Sequence, residues 1–320
     1  MKLTSGGIIA NYKCNAACGH CMYGSSPAAE RGYMTVEMAT RICDTLRRHG
    51  CTSVHIGGGE PFLQPDDLAT LVRVILQSGL GLDYIETNAG WLTDDETRNR
   101  AILQKVLDAG CDCIMVSADP FHIEFVPLQK PLALLRLLRE TGTSYFVWKD
   151  QYLRELSTLD ITKTYSPAEL TQILGYDATL ACAQEYGMGF NGRALNLLRQ
   201  FGAHKPADAY LTDKPCDALR DTGHFHIDYL GQYVPPRCTG LGIAIEDLGK
   251  ALDPEEYPIL SRLYAGGLQA LYEYAQANGF VANNTGYVSS CDLCFAMRKA
   301  IAQNAKNHDL TPRAFYEQNF

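Results

Sequence analysis

Beyond residue 35 the apolar positions fall into a repeating beat, a helix-spaced stretch followed by a short β run. Val36, Ala39, Ile42, Cys43 and Leu46 recur at the three-and-four spacing of one helix face, with Thr35 as a cap before them and Gly50 as a stop. Ser53-Val54-His55-Ile56 then reads as a strand running into Gly57-Gly58-Gly59-Glu60-Pro61, and a second apolar helix over 68–76 stops before Gly79. The beat continues with strand 84–87, helix 94–107, strand 113–116, helix 131–139 and strand 144–147. Repeated βα units predict a parallel sheet with helices outside it. Farther along, Ser166-Pro167-Ala168-Glu169 has the form of a helix start, with Ser as cap, Pro in the first turn and Glu completing a capping box. Residues 225–236 alternate on both sides of a turn near Gly231 and predict a hairpin, followed by a helical segment over 259–277 and a short capped turn over 311–316.

The 320 residues suffice for one large α/β domain with an appendage, or two modest domains, and 46% hydrophobic with 20% charged content is that of a soluble globular chain. No apolar run approaches the roughly 20 residues that span a bilayer. The start, Met1-Lys2-Leu3-Thr4-Ser5-Gly6, lacks the apolar region of a signal peptide. A cytoplasmic protein with no membrane partner is therefore expected. A net charge of −8 argues against a nucleic-acid partner, which needs clustered Lys and Arg, although net charge leaves its distribution open. In a reducing compartment twelve cysteines point to metal ligation over disulfides.

Three of them, Cys14, Cys18 and Cys21, stand as C-x3-C-x2-C directly after the apolar Ile8-Ile9-Ala10. Four thiolates normally complete a [4Fe-4S] cluster, so three would leave one iron open. Half of a zinc site is the competing reading, but a zinc knuckle pairs C-x2-C with a second close pair, and His20 lies too near its flanking cysteines to reach the same metal. The run resembles the signature of the radical S-adenosylmethionine (SAM) superfamily, with His20 at the aromatic position before the third cysteine. The resemblance implies a partial (β/α)6 TIM-type barrel over 1–195, a [4Fe-4S] cluster on Cys14, Cys18 and Cys21, and SAM at the open iron. Gly57 to Pro61 resembles the superfamily's GGEP motif and implies SAM contacts from Gly58, Gly59, Glu60 and Pro61. Asn88 resembles the polar residue after the third strand, and Ser117 with Asp119 resembles the polar pair after the fourth. Arg193, in Gly189-Phe190-Asn191-Gly192-Arg193-Ala194, resembles the G-R-A segment that closes the sixth strand, where it would pair with the SAM carboxylate. Cys14, Gly58, Asn88, Ser117 and Asp119 all follow strand ends, where parallel barrels build active sites. Each has a plainer alternative: a glycine turn, an Asn favouring the turn before Gly90, an Asp-Pro turn, a surface salt bridge for Arg193.

Cys216, Cys238 and the pair Cys291-Asp292-Leu293-Cys294 add four thiols, the number that closes a second cluster. The hairpin would bring Cys216 and Cys238 near its two ends. Residues 196–320 resemble the twitch domain, an abbreviated relative of the SPASM domain, which implies a small auxiliary [4Fe-4S] domain of a hairpin plus helices. The spacing departs from the usual C-x2-C and C-x12-to-15-C pattern, and a structural zinc on four thiolates is the alternative. Cys43, Cys51, Cys111 and Cys113 read as small apolar residues.

The order of parts also resembles SAM-dependent peptide epimerases: Ser25-Ser26-Pro27 after the cysteine loop, Ser117-Ala118-Asp119-Pro120-Phe121-His122, and a late C-x2-C. This likeness implies reductive cleavage of SAM to a 5′-deoxyadenosyl radical that takes a hydrogen atom from a peptide, for epimerisation or cross-linking, with flavodoxin or ferredoxin as electron donor. A small metabolite is the alternative substrate. Pro235-Pro236-Arg237-Cys238 carries one cysteine where such enzymes also place a hydrogen donor, which puts epimerisation in doubt. Cys182 is either that donor or a core thiol, and His122 and Glu124 either serve the substrate or are solvated loop residues. Only residues 1–13 precede the first cysteine, so no wing that reads a peptide leader is expected. A non-catalytic iron-sulfur or zinc redox protein would have no use for the glycine run, and polar methyl transfer lacks a G-x-G-x-x-G after the first strand.

Overall fold

The computed structural model describes residues 1–186, 191–304 and 307–318. Strands β1 (Ser5–Ile9), β2 (Ser53–Gly57), β3 (Gly81–Thr87), β4 (Cys113–Ser117) and β5 (Ser144–Trp148) run parallel and are hydrogen-bonded in the order 5-4-3-2-1. Helices α1 (Val36–Arg48), α2 (Pro65–Gln77), α3 (Glu96–Asp108) and α4 (Gln129–Thr141) connect them, as the sequence pattern predicts. Thr35 caps α1 by accepting from the Met38 N–H at 3.2 Å, and α3 is capped by Asp95, which accepts from the Arg98 N–H at 3.0 Å. The alternation within each strand sends Ile8, Val54, Ile56, Ile85, Ile114 and Val116 to the face covered by the helices. Burying one such side chain contributes about 1.5–3 kcal/mol.

The sixth parallel strand is not where the sequence placed it. Of residues 189–194, the first two lie outside the described residues, Gly192 and Arg193 form a turn, and Ala194 opens a helix, Ala194–Phe201. After β5 the chain turns helical, through Asp150–Leu156, Pro167–Leu174 with the capping box of Ser166 and Glu169 formed, and Ala178–Tyr186. Ala178–Tyr186 is rich in alanine and holds one β-branched residue, a composition that favours helix over strand. The missing strand comes instead from the hairpin. Its first arm, β6 (His224–Asp228), pairs parallel with the other side of β1, Ser5 opposite His224 and Ile9 opposite Asp228. The second arm, β7 (Gln232–Val234), returns across a turn in which Gly231 takes φ 78°, and β8 (Ile243–Ala244) pairs with β7.

The sheet order is therefore 5-4-3-2-1-6-7-8, open between β5 and β8 among the described residues. Two glycines in β1 make room for β6. A Cβ on Gly6 would lie 2.6 Å from the Phe225 ring, so the ring occupies the space that the missing side chain leaves. Sheet and main core run through the boundary expected at 195/196: Ile259, Leu263, Leu293, Phe295 and Phe315 from the C-terminal helices share one apolar cluster with Ile8 and Val54. Those helices are Pro258–Ala277, kinked at Gly266 and Gly267, then Ser290–Asn304 and Arg313–Glu317. Among the described residues no helix is long and apolar enough to cross a membrane.

Candidate functional site

The carboxyl ends of β1 to β4 meet around the cysteine loop. The loop is held to β2 by backbone: Ala10 N–H donates to Gly57 O at 2.9 Å, Gly59 N–H to Asn11 O at 2.8 Å, and Glu60 N–H to Lys13 O at 2.9 Å. The glycines make this approach sterically feasible. A Cβ on Gly59 would sit 2.1 Å from Lys13 O, and one on Gly58 would sit 2.7 Å from Asn11 Oδ1. The close contact these two residues permit is thus with the chain's own entry to the cysteine loop. Asn11, which sequence reasoning missed, is fully buried between the two strands, donating to Glu60 O at 3.2 Å and accepting from Gly59 N–H at 3.1 Å.

Glu60 is also fully buried. Its carboxylate accepts from Phe62 N–H at 3.1 Å, Asn88 N–H at 2.8 Å and the Thr87 hydroxyl at 2.9 Å, tying the end of β2 to that of β3. Burial pushes it up to about 7, against the pull of those donors. Pro61 is buried at the start of a short 3-10 turn, Pro61–Leu63. Asn88 accepts from Gly90 N–H at 2.7 Å, which is the turn role, and its amide also donates to Asn15 Oδ1 at 3.1 Å and toward Cys14 Sγ at 3.6 Å.

Cys14 and Cys18 are buried and Cys21 is half-buried, all three as free thiols. Their charges couple to one another, which places the sulfurs in one neighbourhood. Cys14 Sγ accepts a second N–H, from Ala16 at 3.4 Å. Burial pushes the Cys14 thiol up to about 12 and Cys18 well above its usual value, as expected of thiols that lose their protons only to a metal. Arg193 is committed to the loop. Its Nε donates to Cys18 O at 2.9 Å, its Nη2 to Ser25 O, and its N–H to Cys21 O at 3.1 Å.

His20 stacks among Phe121, His122 and Tyr186, with ring centroids 4.5, 5.0 and 5.3 Å away. Burial and the neighbouring His122 lower it to about 3, and its Nδ1 is buried without a partner. Asp119 is fully buried and accepts from the N–H groups of Phe121 and His122, from His122 Nδ1 at 2.9 Å, and from the Tyr186 hydroxyl. Burial disfavours its charge, yet the His122 imidazolium and these donors hold it well below the usual carboxylate range. Ser117 ends β4, half-buried, and burial raises the Glu124 carboxyl. A second apolar cluster surrounds the loop, with Ala118, Phe121, Ile123, Leu156 and Leu170 against Cys14 and Cys18. Cys182 is fully buried in that cluster.

The four later cysteines also come together. Cys238 hydrogen-bonds Cys216, and that bond lowers the Cys216 thiol while it and burial raise Cys238. Cys291 couples to Cys294 and Cys216, and Cys294 to Cys216. Beside them lies Arg298, fully buried, donating from Nη1 to Thr239 O and the Tyr316 hydroxyl, both at 2.9 Å. Its Nε has no partner, its Nη2 reaches Asn191 Oδ1 at 3.5 Å, and among the described residues no carboxylate forms an ion pair with it. A buried cation of this kind costs several kcal/mol unless an anion offsets it. Its spacing from Cys294, one helical turn on, is the sequence signal that would have found it.

Among the described residues, two sets of potential metal ligands have three donor atoms within 4.8 Å of one another, His55-His224-His226 and His20-Asp119-His122. Neither cysteine set is among them. Tetrahedral zinc with Zn–S of 2.3 Å needs sulfurs about 3.8 Å apart. A four-iron cube takes each thiolate on a different iron and suits wider spacing.

Residues 8–154 match the family model of the Radical SAM superfamily. The chain is 28% identical over 170 residues to the AdoMet-dependent heme synthase of Methanosarcina barkeri, covering 51% of this chain and 45% of that protein. It is 42% identical over 55 residues to the mycofactocin maturase MftC of Mycobacterium tuberculosis, covering 17% and 14%. The chain thus spans less than half the length of these curated relatives. Among solved structures, Streptococcus suis SuiB bound to S-adenosylmethionine is similar over 97% of this chain and 74% of that one, at 15% identity and a TM-score of 0.42.

Proposed function

We propose, on the premise that residues 8–154 belong to the radical SAM superfamily, that this chain cleaves SAM reductively and removes a hydrogen atom from a peptide substrate. The observation that carries the reading is the convergence of Cys14, Cys18 and Cys21 at the carboxyl end of β1, with two N–H donors on Cys14 Sγ. Cys14, Cys18 and Cys21 would hold a [4Fe-4S] cluster with one iron left open, and once reduced by an external donor that group would supply the electron for reductive cleavage of SAM to methionine and a 5′-deoxyadenosyl radical.

The chain's own residues set the conditions for that chemistry. Asn88 and Ala16 donate to the Cys14 sulfur and so favour its thiolate. Arg193 fixes the loop through two carbonyls, and the apolar cluster of Phe121, Ile123, Leu156 and Leu170 keeps water from its flank. Asp119 raises the His122 imidazole against the pull of burial, while burial and His122 lower His20 in the wall beside Cys21. Gly58, Gly59, Glu60 and Pro61 shape the β2 end from which SAM would be approached, and Ser117 lies at the neighbouring β4 end. The peptide reading rests on Ser25-Ser26-Pro27, the segment from Ser117 to His122 and the late C-x2-C. Cys238 belongs to the thiol quartet, which argues for a reaction other than epimerisation through a cysteine at that position.

The reading includes a second [4Fe-4S] cluster on Cys216, Cys238, Cys291 and Cys294, with residues 196–320 as its auxiliary part, and a flavodoxin or ferredoxin as electron source. The buried Arg298 guanidinium supports it, because an anionic cluster would offset that charge. Arg298→Met keeps an unbranched apolar stem, shorter by the guanidinium end, and removes the charge. It is expected to lower retained iron from about eight toward about four per chain. Iron unchanged at about eight would sink this role for Arg298.

The activity is tested by anaerobic incubation of reconstituted, dithionite-reduced protein with SAM. Formation of 5′-deoxyadenosine and methionine above the protein-free control is the expected result; their absence, in protein that carries its iron, overturns the reading.

A further inference from the structure

On the face of the sheet opposite α1–α4, three histidines converge. Val54 and Ile56 face the main core, so His55 between them faces the other way; Phe225 and Ile227 do the same for His224 and His226. His55 stands on β2 and His226 on β6, with β1 between them, and both pair with Gly7. At that position a side chain would collide with both imidazoles, its Cβ falling 2.2 Å from His55 Nε2 and 2.7 Å from His226 Cδ2. Gly7 thus lets rings from strands two apart lean together over the intervening strand.

The result is a closed triangle of imidazoles. Ring centroids are 5.3 Å apart for His55 and His224, 5.3 Å for His55 and His226, and 5.0 Å for His224 and His226. One nitrogen from each lies within 4.8 Å of the other two. Among the described residues no hydrogen bond shorter than 3.5 Å is seen from these rings, and the one carboxylate beside them is that of Glu86. His55 is 2% exposed and His226 is half-buried, while His224 reaches the surface. Glu86 Oε1 lies 3.6 Å from His55 Nε2. Tyr23, two residues past Cys21, packs edge-on against His226 at 5.7 Å.

We propose that His55, His224 and His226 bind one divalent transition-metal ion of the zinc class, with Glu86 beside it. Imidazole suits Zn2+ and its first-row neighbours, and three protein ligands leave a fourth position open, which marks a site that takes a water or a substrate oxygen over a closed structural one. Glu86 is the outer carboxylate of that site, placed to orient His55 or to hold the water in the open position. Because Tyr23 joins the histidines to the cysteine loop, an oxygen ligand here would anchor a carboxylate- or amide-bearing substrate beneath it. The metal site itself does not depend on the reaction proposed above.

The test uses protein with its clusters reconstituted, so that the cysteines are occupied, then treated with chelator and titrated with Co2+ as a spectroscopic stand-in for Zn2+. The expected result is one Co2+ per chain with visible ligand-field bands and no thiolate-to-cobalt charge-transfer band. His55→Ala or His226→Ala is expected to weaken binding by more than the roughly 100-fold that loss of an outer-shell partner can cost, and Glu86→Gln by about 10- to 100-fold. Iron content unchanged across the variants shows that they fold and that the cysteine sites are independent. Should a histidine variant misfold, zinc-edge X-ray absorption of the wild-type protein decides, with nitrogen neighbours at about 2.0 Å expected. No stoichiometric cobalt, sulfur in the first shell, or full affinity in a folded His55→Ala chain overturns the proposal.

Discussion

Changing Cys14, Cys18 and Cys21 together to alanine is expected to lower the iron of anaerobically reconstituted protein from about eight to about four per chain. Formation of 5′-deoxyadenosine should fall to the level of a protein-free control. The remaining iron would belong to the second cluster proposed on Cys216, Cys238, Cys291 and Cys294, beside the buried Arg298 guanidinium. A wild-type count of about four that falls to none would leave a single cluster and make the quartet a zinc or thiol site. Iron still at about eight in the triple variant would remove these cysteines from ligation altogether.

Gly59→Ala is expected to be among the most damaging single methyl additions in the chain. The new Cβ would meet Lys13 O at 2.1 Å, Lys13 C at 2.5 Å and Tyr12 O at 2.8 Å, all backbone, so no rotamer change relieves it. Separation of the strands would break the bonds from Gly59 N–H to Asn11 O and from Glu60 N–H to Lys13 O, each worth about 1 kcal/mol. Adding the strain of overpacking, a loss of about 3–5 kcal/mol is expected in denaturant unfolding. Gly142→Ala is the control: it has the left-handed φ of 69° but nothing within 4 Å of the new Cβ, and should cost only about 1 kcal/mol. Equal midpoints for the two variants would show that the β2 end yields more easily than its contacts imply.

Helix α1, the three βα units from β2 to α4, and β5 were legible because each is local: a cap or turn, an apolar face and a short β run within about thirty residues. The register of β6 beside β1 was not, because the hairpin pattern reveals an alternating face and says nothing of which edge it joins. The clue lay in Gly6 and Gly7, whose missing side chains admit Phe225 and the histidines, a role that no local pattern displays. At the cysteine loop the residue types were legible and some of their partners were not. Arg193 was expected to pair with the SAM carboxylate or in a surface salt bridge, yet its guanidinium is spent on Cys18 O and Ser25 O, contacts between residues far apart in sequence. Asn11 and Arg298 were passed over for the same reason, since a buried polar side chain is recognised by its partners and a sequence does not display them.

The pairing of β6 with β1 also sets a timetable. During synthesis β1 and the cysteine loop leave the ribosome early, yet the strand that covers the free side of β1 is more than two hundred residues behind. At about 5–20 residues per second that is a delay of roughly 10–40 s, during which one row of β1 backbone groups stays unpaired. A nascent chain in that state presents a strand edge beside unfilled thiols, open to mispairing and to oxidation alike. Cells that make this protein would need chaperone cover over its N-terminal third until residue 228 has emerged, and slow codons between the two strands should lower its yield.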